Sequence, residues 1–133
     1  MVNENVMSVI KLIKCRYTNP DLSAFPGKFA VQIELTDEAD GVFYIEVLNG
    51  RLSIEPYEYN DRDLLVKVSR ENLEKIINGK LKIENALITR KIIVSGNMSK
   101  ALLIKKILKY RKLYEYYISI IFSKKKRTYE INI

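Results

Sequence analysis

The sequence predicts an α+β domain, a five-stranded, mostly antiparallel sheet covered by helices on one face. Three observations predict it. Phe29, Val31, Ile33 and Leu35 alternate with Gln32 and Glu34, the period of a strand with one wet face. Leu73, Ile76 and Ile77 recur at helical spacing between a capping Ser69 and a stop at Asn78-Gly79. Finally, 133 residues, 47% of them apolar and 29% charged, are enough for one globular domain with its own core and too few for two of ordinary size.

In chain order, Val6, Val9, Ile10 and Ile13 make a helical stripe within residues 2–17, with Asn3 or Asn5 as its cap. Asn19-Pro20-Asp21 and Pro26-Gly27 are turns. The strand from Phe29 to Thr36 runs into Asp37-Glu38-Ala39-Asp40-Gly41, a turn whose letters match a helicase motif by chance, since no phosphate-cradling glycine loop accompanies it. A second strand, Val42 to Leu48, turns Phe43, Ile45 and Val47 inward, and Asn49-Gly50 signals a hairpin into a third strand at Arg51 to Glu55. Polar residues from Pro56 to Asp61 cross to a fourth strand, Leu64 to Val68, which feeds the Ser69 helix. After a short spacer comes a fifth strand, Lys91 to Ser95, with Ile92 and Val94 on one side and Ile93 on the other. Gly96 breaks it, and Asn97 caps a last helix in which Met98, Ala101, Leu102, Leu103, Ile104, Ile107 and Leu108 cover more than one face. Such a helix needs two things to bury against: a sheet, and a ligand, a partner chain or a membrane. Past Leu108 the tyrosine-rich run fits helical spacing through Tyr110, Tyr114 and Tyr117 and alternation through Tyr116, Ile118, Ile120 and Phe122, so both conformations stay open.

Composition excludes several chemistries. With no histidine, a single cysteine (Cys15) and no G-x-S-x-G, the chain holds no familiar nucleophile–base pair and no transition-metal site, so neither an enzyme nor a metal or cofactor is expected. One cysteine allows no internal disulfide, which favours a reducing, cytoplasmic setting. No secretory pattern or membrane-spanning run is expected either. The net charge of +7 is lopsided: residues 1–99 carry 13 Lys/Arg against 14 Asp/Glu, residues 100–133 carry 10 against 2. That basic end is either a solvated helix face or an attractor for an anionic surface. Nucleic acid is not expected, because the basic residues are not interleaved with aromatics on a sheet face.

The order Gly79-Lys80-Leu81, strand Ile92-Ile93-Val94, Gly96-Asn97, then Met98 through Leu108 resembles the lipid-binding domain of the sterol carrier protein type two family. Phe29 to Gly50, an amphipathic strand, an acidic turn and a second strand, resembles that family's opening hairpin. The resemblance spans Lys28 to Leu108 and departs from the family at two points. Arg90 stands where members often have glycine, and Asn97 where they often have aspartate.

What the resemblance implies is a hydrophobic cavity for fatty acyl chains, sterols or similar lipids, between the sheet and the C-terminal helix. On that reading Phe43, Ile45, Leu73, Ile76, Ile77, Ile92, Val94, Leu102, Leu103 and Ile107 bind ligand. Lys105, Lys109, Lys112, Tyr114, Lys124 and Lys125 then meet an anionic membrane surface. Residues 1–133 form a single domain with its core at about 28–110 and a basic, tyrosine-rich extension at 111–133. The alternative keeps the fold, packs the same side chains as plain core, and makes the domain an oligomerisation module, a homodimer through Tyr110 to Phe122.

Overall fold

The computed structural model describes residues 3–17, 22–23, 25 and 27–109. The turns expected at Asn19-Pro20-Asp21 and Pro26, and the tail from Tyr110 onward, lie outside the described residues.

Helix α1 (Glu4–Arg16) starts at Asn3, whose Oδ1 accepts from the amides of Asn5 (2.7 Å) and Val6 (3.3 Å). Its expected stripe, Val6, Val9, Ile10 and Ile13, is the buried face. The strands are β1 (Lys28–Leu35), β2 (Val42–Leu48), β3 (Arg51–Glu55), β4 (Leu64–Val68) and β5 (Ile92–Gly96), in the spatial order β3-β2-β1-β4-β5. Every neighbouring pair is antiparallel except β1 and β4, which run parallel. Asn49 and Gly50 both take positive φ (51° and 79°), the paired left-handed residues that a two-residue hairpin turn between β2 and β3 requires.

The register puts Val31 opposite Ile45 and Leu64, Ile33 opposite Phe43 and Val66, and Val66 opposite Val94. These side chains share one face, and it forms a single core with the helices. The other face is not simply wet. Gln32, read from the sequence as solvent-facing, is only 4% exposed, because the crossover from β3 to β4 passes over it and the Tyr59 amide donates to its Oε1 (2.8 Å). The Tyr59 ring also packs against Tyr44, tilted, with centroids 4.9 Å apart, and its hydroxyl donates to Glu46. That crossover carries the chain past β2 and β1, so β4 arrives beside β1 in the same direction.

Helix α2 (Arg70–Ile77) is capped by Ser69, whose Oγ accepts from the Asn72 amide (3.2 Å). The acidic turn between β1 and β2 ties the two helix starts together: Asp37 accepts from the Arg70 amide (3.0 Å), Glu38 from the Asn5 side chain (2.7 Å), and the Ala39 carbonyl from the Asn3 side chain (2.7 Å). The D-E-A-D letters thus serve the joint between α1 and α2.

Two expectations are corrected. The spacer after Gly79 contains a further helix, α3 (Ile83–Ile88); with Lys82 at its cap, no side-chain capping bond and one buried residue, Ala86, it leaves little mark on the sequence. Nor does Asn97 cap the last helix. It precedes a 3-10 turn, Met98–Lys100, its Oδ1 accepts from the Ser99 hydroxyl (2.5 Å), and α4 follows over residues 102–109, where the described residues end.

Candidate functional site

Between the inner face of the sheet and the helices lies an apolar cavity of about 90 Å³. Val31 and Ile33 of β1, Ile45 of β2, Leu52 of β3, Val66 of β4 and Ile92 of β5 line one side. Facing them are Ile13 of α1, Leu73, Ile76 and Ile77 of α2, Ile83 of α3, and Ile104, Ile107 and Leu108 of α4, with Tyr17 just past α1. Every lining side chain but Tyr17 is aliphatic, so the space offers shape and dispersion and almost nothing that polarises a bond.

Ile76, Ile83 and Leu108 also line a second, wider cleft of about 540 Å³, whose remaining walls are Gly79, Leu81, Lys82, Glu84, Lys105 and Lys109. Shared walls make the two spaces neighbours, one apolar and one rimmed with charge. Across the rim Lys105 Nζ meets Glu84 Oε1 at 2.6 Å, joining α4 to α3, and that ammonium holds the Glu84 carboxyl below the usual carboxylate range. The start of α4 is tied separately. Asp63 accepts from Lys100 Nζ (2.9 Å) and from the Ala30 amide (2.8 Å), and the Asp63 carbonyl from the Asn97 amide (2.8 Å). Burial pushes the Asp63 carboxyl up, but Lys100 and the Ala30 amide outweigh it and the net shift is downward. Gly96 is required here, at φ +112, because a Cβ would lie 2.5 Å from the Asp63 carbonyl oxygen.

Of the residues expected to touch ligand, Ile45, Leu73, Ile76, Ile77, Ile92 and Ile107 come together in the cavity lining. Phe43 is fully buried in the core, and Val94 and Leu103 pack against that core, all three outside the lining. Leu102 faces away, 72% exposed. Among the expected membrane contacts Lys105 and Lys109 are exposed on α4, while Lys112, Tyr114, Lys124 and Lys125 lie outside the described residues. Nine lining residues were not among those expected to touch ligand: Val31, Ile33, Leu52, Val66, Ile104 and Leu108, on strands and a helix that were expected, Ile13 and Tyr17, from the expected first helix and its end, and Ile83, whose helix was not expected. Among the described residues no group of three or more acidic or cysteine side chains could hold a metal ion, and no helix is long and apolar enough to cross a membrane.

Residues 12–109 match the profile of the SCP-2 sterol transfer family. The chain belongs to that family. Membership makes it a lipid-binding or sterol-transfer domain, and the match takes in the end of α1, upstream of the span the sequence motifs covered. Among solved structures of this fold, the palmitated sterol carrier protein 2-like 2 of Aedes aegypti shares 27% identity at a TM-score of 0.52, over 84% of this chain and 95% of that one. The ubiquinone synthesis protein UbiJ superposes at a TM-score of 0.59 with 12% identity, over 84% of this chain and 95% of its own. A sec-alkylsulfatase of a Pseudomonas species, at 16% identity and a TM-score of 0.53, is matched over 62% of this chain, which spans only 13% of that enzyme. Among curated protein sequences none matches significantly.

The glycine that members of the SCP-2 sterol transfer family often place before the last strand now has a local reason. Arg90 occupies that position at φ +58, with its amide donating to Leu87 O (3.2 Å) and the Lys91 amide to Ala86 O (2.9 Å). The turn forms despite the arginine.

Proposed function

We propose that this domain binds the apolar portion of a lipid, an acyl chain before a rigid ring system, in the cavity between sheet and helices, and releases it unchanged. The observation that carries this reading is a space to which every strand and each of α1 to α4 among the described residues contributes, lined almost wholly by aliphatic side chains. Leaving 90 Å³ unfilled costs about 2 kcal/mol at ~24 cal/mol per Å³. Each methylene that fills it contributes roughly 0.8 kcal/mol. The palmitated relative from Aedes aegypti supports an acyl occupant.

The volume also bears on how a ligand enters. An engineered cavity of about 150 Å³ accepts one benzene, so 90 Å³ holds only part of a long chain and loading requires a wall to move. Helix α4 is the natural wall: it contributes Ile104, Ile107 and Leu108 to the lining, and Lys105–Glu84 ties it to α3.

The test is native mass spectrometry of gently prepared protein, followed by titration of the delipidated chain with a fluorescent fatty acid. Co-purifying lipid and saturable uptake are expected. Protein that is empty in repeated preparations and takes up no fatty acid overturns the reading.

A further inference from the structure

We infer that the charged cleft beside the cavity seats the head of the ligand, and that the head is an oxyanion, a carboxylate or phosphate carried on the acyl chain. This rests on the cavity reading above and goes further, by fixing which end of the lipid lies where and what charge it bears.

A ligand whose tail lies against Ile76, Ile83 and Leu108 is already in contact with the cleft, because those three side chains line both spaces. The head of an amphiphile placed tail-inward therefore emerges among Lys82, Lys105, Lys109 and Glu84. Three ammonium groups against one carboxylate leave the rim with an excess of two positive charges. Of these three lysines only Lys105 has an ion pair with another described residue; Lys82 and Lys109 are exposed and have none among the described residues. Such a rim attracts an anion and gives a neutral head no advantage.

Glu84 gives the rim a second property. Its carboxylate holds Lys105 at 2.6 Å across the join between α3 and α4, where an incoming ligand oxyanion must arrive. An oxyanion on the ligand can replace Glu84 as the partner of Lys105. The same event then pairs the head and frees α4 from α3, the movement that admitting a full chain requires. Glu84 is a competitor for the head, and a positioning residue for Lys105 in the empty protein.

The experiment titrates the delipidated full chain with three ligands of one chain length: hexadecanoate, hexadecyl phosphate and hexadecanol. Isothermal titration is run at low salt. Each exposed ion pair changes affinity by at most a few-fold, so three together set the expectation that the anions bind about tenfold tighter than the alcohol. In the triple variant K82Q/K105Q/K109Q that preference disappears while hexadecanol binds no weaker than before, since losing Lys105 only loosens α4, and its binding also reports that the variant is folded. Glu84→Gln releases α4 for every ligand and also removes the competitor for Lys105, so it tightens the two anions by a larger factor than the alcohol. Whichever anion binds tighter names the head, and either ranking supports the inference. Equal affinities for all three ligands, or a preference that survives in the triple variant, overturn the head seat and leave the cavity reading standing. Failure of all three to bind removes both.

Discussion

Gly79 and Arg90 sit at equivalent places, one residue past the C-caps of α2 and α3, at φ +77 and +58. Each helix ends in the same pair of bonds. Lys80 donates to Lys75 O (2.8 Å) and Gly79 to Ile76 O (3.1 Å) in one, Lys91 to Ala86 O and Arg90 to Leu87 O in the other. The left-handed conformation costs a side-chain-bearing residue roughly 1–2 kcal/mol, and glycine gives back about 0.5–1 kcal/mol through the entropy of its unfolded chain. Arg90→Gly is therefore expected to stabilise the protein by about 0.5 kcal/mol, read as a higher urea midpoint at unchanged slope. A lower midpoint would mean that the arginine side chain contributes more than its backbone costs. Single residues were also where the sequence misled. Leu102 and Asn97 look like a buried leucine and a cap from their neighbours in the chain. What decides each is the rotation of α4 on the sheet and the 3-10 turn before it, and neither is a local property.

Elements were legible where pattern and punctuation agreed, as in the asparagine cap and four-residue stripe of α1, the serine cap and glycine stop of α2, and the asparagine-glycine turn between β2 and β3. They were not legible where one was missing. Helix α3 has six residues, no side-chain capping bond and an arginine at its left-handed stop, so nothing local marks it, and its cavity residue Ile83 went with it. Nor could periodicity find what holds α4 to the sheet, since Asp63 and Lys100 are 37 residues apart. That tie makes a prediction at the scale of the element. The Asp63 carboxyl is held below its ordinary value, so its contribution is present above the unfolded pKa of about 3.9 and is lost as pH falls through the folded value. Asp63→Asn keeps an acceptor for the Ala30 amide but loses the charge. It should destabilise by about 1 kcal/mol at pH 7, a modest figure because Lys100 is partly exposed, and the deficit should close below pH 4. Urea titrations of both proteins at pH 7 and pH 3 check it. An equal deficit at both would show that the ion pair contributes nothing.

For the molecule as a whole, the question is whether the space between sheet and helices is a packing fault or a place for a ligand, and one substitution makes the alternatives diverge. Val66 lies mid-strand in β4 on the inner face, opposite Ile33 and Val94 in the register, and lines the cavity. Val66→Ile adds one methylene while keeping the branched side chain that suits a strand. If the space is open, that methylene enters it and stabilises the ligand-free protein by roughly 0.8 kcal/mol. If the residues were already in contact, the same change overpacks the core and costs about 1–3 kcal/mol. Stability alone therefore reports whether the space exists, and affinity reports what it is for. In a binding site the added methylene occupies volume the lipid needs, so the variant should be more stable when empty and weaker for hexadecanol, the ligand without a charged head. A gain in stability with hexadecanol affinity unchanged would mark the space as a void the lipid does not use. Because the substitution lies on the sheet, outside the lining of the cleft that holds Lys82, Lys105 and Lys109, it should weaken hexadecanoate and hexadecanol by the same factor. Tail volume and head charge would then be separate determinants of binding.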